Sequence, residues 1–226
     1  MSADVPASAL YPYLAVALTL LATVAGRPAF PRKTRGFRAV MLYFASFFCL
    51  LFALPCLILL LFSGRPAEAF RAIGFSPGLA GRGLAVVAAS LLPAFLAAVA
   101  GSADPLMRAF YPFSRAACAG RSKFALYGTA YIALYYLPWE FVYRGVLFFP
   151  ILAATNLPTA LALQTIISTL HHLGHPRTEI FAALGAGFVF GLVAYWTRSF
   201  FYGMLIHAFV GVVTDALICR RLRRSP

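Results

Sequence analysis

Inside the run 138–148, PWEFVYRGVLF, a carboxylate and a guanidinium stand four residues apart, at Glu140 and Arg144. On a helix, positions i and i+4 share a face, so the two can pair, which lowers the cost of holding either in an apolar medium. Three of the four histidines follow at positions able to face the same interior: His171, His172 and His207. Asp215 comes eight residues after His207, two turns along one helical stripe, and Gly203 and Gly211 keep that stripe thin. An acid and two imidazoles that meet in a low-dielectric pocket can activate water: the carboxylate takes a proton while the imidazoles orient the water or stabilise an oxyanion. Glu140, His172 and His207 are also a zinc ligand set that leaves room for water.

The elements that must position these groups belong in lipid. Of 226 residues, 62% are hydrophobic and 11% charged, with positive mean hydropathy, more apolar surface than one soluble core can hide. Seven runs approach the ~20 residues that span ~30 Å of hydrocarbon: 10–26, 39–62, 83–101, 122–150, 156–172, 178–196 and 200–219. The expectation is an all-α, polytopic transmembrane bundle of about seven spans, a single integral membrane domain over 1–226. The first run has no basic segment before it and is read as a retained helix, not a leader. A net charge of +13 raises the question of nucleic acid, but the basic residues cluster between apolar runs and no basic soluble domain exists to carry such binding.

With seven spans and the N-terminus outside, fourteen Lys and Arg residues fall on the inner side and four, Arg65, Arg71, Arg82 and Arg198, on the outer. That bias predicts a multi-pass protein of the cell membrane with a cytoplasmic C-terminus. Short connections and the lack of an internal repeat mark no further division. The stretch 104–115, DPLMRAFYPFSR, reads as an interfacial segment or a loop with belt aromatics. Cys49, Cys56, Cys118 and Cys219 show no CxxC spacing; the last two face the expected cytoplasm, where thiols stay reduced, and apolar packing is the expected role.

Each candidate has a plainer reading. Glu140 and Arg144 can be a structural ion pair, His172 an interfacial histidine at a helix end, and Asp215 a partner for Arg220. His171 and His175 point ~100° away from their neighbours on a helix and are read as supporting groups. Glu179 opens the sixth run, where its charge suits the helix dipole. One conflict is internal to the reading: Glu140 falls ~24 Å along the fourth span at ~1.5 Å per residue, whereas His172 ends the fifth near the inner face. Pro138 predicts a bend, and Gly174 with Pro176 predicts an unwound helix end.

The chain resembles the CAAX-processing and bacteriocin-processing membrane proteases, the type II CAAX or glutamic-type intramembrane protease family. WEFVYRG matches its first motif through Glu140, Arg144 and Gly145; HLGHPRTE, with His172, matches the second; FYGMLIHAF, with His207, matches the third. The resemblance covers mainly 138–215. It implies an intramembrane endopeptidase in which Glu140 is the general base, Arg144 positions it, and His172 and His207 bind water or the oxyanion, with Asp215, Glu179 and His171 supporting. It implies no cofactor, although zinc on Glu140, His172 and His207 stays possible. The implied partners are membrane lipid and a membrane-associated peptide or protein substrate, and no nucleic acid. Trp139 stands where the family commonly has a first glutamate, Ser168 where it has Phe, and Gly211 where it often has Asn. Two rival classes use the same residues: a proton-coupled carrier and a non-catalytic membrane scaffold.

Overall fold

The computed structural model describes residues 36–223, so the first predicted span, 10–26, lies outside the described residues. Every regular element among them is a helix, as a lipid-embedded chain requires unless it closes into a barrel. In chain order these are α1 (Phe37–Phe62), α2 (Pro66–Ala72), α3 (Ala80–Ala103), α4 (Pro105–Phe110), α5 (Arg121–Ala154), α6 (Leu157–His171), α7 (Arg177–Thr197) and α8 (Phe201–Leu222), with a 3-10 turn at Arg115–Ala119.

Five of them, α1, α3, α5, α7 and α8, are long and apolar enough to cross a membrane. The seven-span count is therefore not reached among the described residues. The predicted run 156–172 does form a helix, α6, but its 15 residues extend ~22 Å, short of a ~30 Å apolar layer. It stops at His171 because Gly174, at φ 99°, and Pro176 turn the chain into α7. Helix α5 errs the other way: 34 residues give ~51 Å, far more than the bilayer needs. Distance along α5 from Arg121 is thus not depth, and the conflict between Glu140 and His172 disappears.

Helix α5 is the centre of the bundle. Tyr131 and Tyr135 stack on Phe44 and Phe47 of α1, with ring centroids 5.1 and 4.5 Å apart. Around Pro138 the winding widens into π-helix on both sides, at Ile132–Tyr136 and Phe141–Leu147. A proline has no N–H to donate and crowds the carbonyl four residues back, and a π-segment relieves that crowding while rotating the side chains that follow. Helix α3 lies outermost, with Leu84, Leu92 and Leu96 exposed to what must be lipid.

Close helix contacts rest on small residues, as they do where lipid supplies no hydrophobic drive between helices. Gly83 of α3 meets the Tyr202 ring of α8, and Gly191 of α7 meets Gln164 of α6. Gln164 Nε2 donates to the Gly187 carbonyl at 2.8 Å, closing the α6–α7 hairpin. At the far end Leu79 N–H donates to the Thr197 carbonyl at 2.7 Å, and Arg198, at φ 56°, turns α7 into α8.

The stretch 104–115 does not simply lie flat on a surface. Asp104 caps α4, accepting from the amides of Leu106 and Met107 at 2.6 and 3.3 Å. A hydrogen bond from Thr178, aided by those amides, holds its carboxyl below the ordinary value and ties α4 to α7. The chain then folds inward, burying Tyr111, Phe113 and Ala117. This fold also brings Cys118 to Cys219, which form a disulfide with Cα atoms 5.0 Å apart. The expectation of reduced thiols in apolar packing is corrected: 101 residues separate the pair, and only the docking of the 3-10 turn on the end of α8 unites them.

Gly78 has φ 53°, and a Cβ there would lie 2.1 Å from the Thr197 carbonyl oxygen. Gly78→Ala should therefore lower stability by ~2 kcal/mol or more, from strained backbone and a clash with a backbone atom that cannot swing aside. Thermal unfolding in detergent checks this, with Gly81→Ala, whose Cβ meets nothing within 4 Å, as the unaffected control.

Candidate functional site

Glu140 is fully buried, and its two oxygens face different partners. Oε1 accepts from His207 Nδ1 at 2.7 Å. Oε2 lies 3.2 Å from Arg144 Nε, at ion-pair distance but without hydrogen-bond alignment, so neither atom counts as hydrogen-bonded. The Arg144 guanidinium sits 5.6 Å from the Phe190 ring centroid and 5.9 Å from that of Tyr143, inside an aromatic collar. The i,i+4 face read from the sequence is present, and α8 adds the imidazole to it. Gly203, one turn before His207, lets α8 approach: a Cβ there would lie 3.7 Å from Glu140 Oε2.

Because a carboxylate can only accept, His207 Nδ1 carries the hydrogen and Nε2 is the nitrogen not engaged by Glu140. His172 is fixed the same way. Its Nδ1 donates to the Ser168 carbonyl at 2.8 Å, so its Nε2 is also free. Ser168, a departure from the resembled motif, supplies that carbonyl from one turn earlier on α6. Trp139 contacts both imidazoles, with centroids 4.8 Å from His172 and 6.5 Å from His207. The residue that replaces a first glutamate is thus the wall the two histidines share.

Both imidazoles open onto one cavity of ≈ 640 Å³ between α3, α5, α7 and α8. Its apolar sides include small residues such as Ala97 and Ala100 of α3 and Ala182 and Ala186 of α7; its polar groups include His172, His207, Glu179, Asp215, Tyr111, Tyr131 and Tyr136. Glu140 and Arg144 do not line it. The His207 side chain is 23% exposed and the Glu140 side chain 0%, so the imidazole stands between carboxylate and cavity.

The supporting residues divide. His171 turns away from the cavity, stacked on Trp139 at 4.6 Å and hydrogen-bonded to the Tyr143 hydroxyl. Glu179 is on the wall, accepting from the Tyr111 hydroxyl at 2.7 Å and from His175 Nδ1 at 3.1 Å. Burial pushes the Tyr111 phenol well above its ordinary value, so it stays a donor. Asp215 accepts from Tyr127 at 2.8 Å, and the cation acting on it is Arg115, not the Arg220 expected from the sequence. Among the described residues no three His, Cys, Asp or Glu side chains are placed to hold a metal ion. Glu140 is engaged by His207 and Arg144.

Tyr111 and Tyr136 were not singled out by sequence reasoning. For Tyr136 the signal available was the run of buried tyrosines along α5, Tyr127, Tyr131, Tyr135 and Tyr136; for Tyr111 there was none.

Against this geometry the comparison with protein families is direct. Residues 121–213 match the family described as Type II CAAX prenyl endopeptidase Rce1-like. The resemblance read from the three motifs is therefore correct for this segment. The Rce1-like match covers less than half of the chain, yet it includes Glu140, Arg144, His172, Glu179 and His207 and ends just before Asp215. Members of the Rce1-like family are intramembrane proteases, and the apolar spans found here are those of a multi-pass membrane protein. No curated protein and no solved structure matches the chain.

Removing one member of a buried pair strands the other charge, at ~3–5 kcal/mol, whereas an exposed pair contributes ~0–1 kcal/mol. Arg144→Ala should thus lower the melting temperature in detergent steeply. Arg65→Ala, which breaks the exposed Arg65–Glu68 pair at 3.4 Å, should leave it nearly unchanged.

Proposed function

We propose that this protein is an intramembrane endopeptidase that hydrolyses a peptide bond of a membrane-associated protein or peptide. The observation that carries the reading is the pair of imidazoles, His172 and His207, each tautomerically fixed with Nε2 toward one cavity, within the segment that matches the Rce1-like family.

Water activation by Glu140 then runs through His207. Water in the cavity gives its proton to His207 Nε2 as its oxygen attacks the substrate carbonyl carbon, and Glu140, hydrogen-bonded to Nδ1–H, stabilises the imidazolium that forms. Arg144, at ion-pair distance, offsets the charge of Glu140 in a low-dielectric site. His172 Nε2 accepts a hydrogen from the water and fixes its position. When the tetrahedral intermediate collapses, the C–N bond breaks and the proton held by His207 passes to the leaving amine. The small residues along α3 and α7 leave room for an extended apolar segment beside the histidines.

The test is a comparison of peptide termini in membranes from cells that carry the wild-type protein, Glu140→Gln, His172→Ala or His207→Ala. At least one terminus should be made by wild type and fall ~10²-fold or more in each variant while the variants still insert, as loss of an acid–base group entails. Identical terminus profiles together with uptake or efflux that collapses with the proton gradient would instead establish a carrier.

A further inference from the structure

Gly211 stands one turn after His207, and the reason it is glycine lies across the helix interface. A Cβ at this position would fall 1.6 Å from the Tyr136 hydroxyl oxygen and 2.6 Å from its Cζ, so the phenol occupies the volume a side chain at 211 would claim. Tyr136 closes the first π-segment of α5, and the wider winding there sends its side chain toward α8 beside Glu140's own partner. Its ring packs edge-on against His207 with centroids 4.7 Å apart, and its neighbour Tyr131 packs on it at 4.4 Å. A phenol carries one proton, and Tyr136 lines the cavity, so its hydroxyl can donate to an acceptor held there.

Resting on the endopeptidase reading above, we infer that Tyr136 is a further catalytic residue whose hydroxyl donates the hydrogen bond that stabilises the oxyanion, in space that Gly211 keeps open. As water oxygen bonds to the carbonyl carbon, the C=O π pair moves onto the carbonyl oxygen. Tyr136 O–H donates to that oxygen without giving up its proton, and the bond weakens when the carbonyl re-forms and the C–N bond breaks. A preorganised neutral donor in a water-poor site acts on charge that exists only in the transition state, so it raises the rate rather than the affinity.

The experiment uses the full-length protein in detergent or liposomes and a synthetic peptide spanning the terminus that wild-type membranes produce. Tyr136→Phe keeps the ring and should lower kcat by ~10²–10³-fold with KM changed by no more than ~2-fold. Gly211→Ala, which pushes the hydroxyl aside, should cost a loss of similar order, and the double variant should be no worse than Tyr136→Phe alone, since both remove one interaction. Wild-type kcat in Tyr136→Phe, or losses that multiply in the double variant, would overturn the assignment even if Glu140→Gln is inactive. Absence of any wild-type-specific terminus would remove the endopeptidase reading itself, and the role of Tyr136 with it.

Discussion

A fully buried carboxylate held between a guanidinium and an imidazole is the constraint around which this molecule is organised. An isolated ion in this environment is expensive, and each of the three groups lowers the expense of another. Arg144 offsets the charge of Glu140, and Glu140 in turn dictates which nitrogen of His207 carries hydrogen. The consequence reaches outward, because an imidazole bonded inward through Nδ1 leaves its other nitrogen for whatever occupies the cavity that His207 lines. A charge pair that only stabilised the fold would need no third member facing open space.

Getting these groups together demands irregular helices and small residues. Pro138 sits between two π-segments, and without that widened winding Tyr136, Trp139 and Glu140 would follow an ordinary α-helical stripe. Gly203 and Gly211 thin the face of α8 opposite Glu140 and Tyr136, while the early end of α6 leaves His172 beside Trp139. Disruption of regular helix is tolerated within a membrane only where it is enclosed by protein or borders a cavity, and both conditions hold here.

Much of this was legible in the chain. Intramembrane Glu140 and Arg144 at i,i+4 predict their pairing, and of the seven apolar runs read as spans, five are helices long and apolar enough to cross a membrane among the described residues. What stayed hidden depends on contacts far apart in sequence. The cavity-facing role of Tyr111 arises because the segment after α4 folds under the bundle, and Cys118 finds Cys219 by the same movement. Hydropathy cannot distinguish α6 from a full span, since its composition is apolar and only its length and the turn at Gly174 betray it. Nor can a motif show that Glu140 lies behind His207 instead of on the cavity wall, because burial of a particular oxygen is a tertiary property.

The proposed activity is one chemical event, the transfer of a water oxygen into a new peptide terminus by a carboxylate-backed imidazole. Its most direct measurement is mass spectrometry of the cleaved substrate after reaction in water enriched in oxygen-18. The wild-type protein should place one heavy oxygen in the newly formed carboxylate, and Glu140→Gln, correctly inserted, should form almost none. Equal labelled product from both proteins, or a cleaved product without the label, would contradict it.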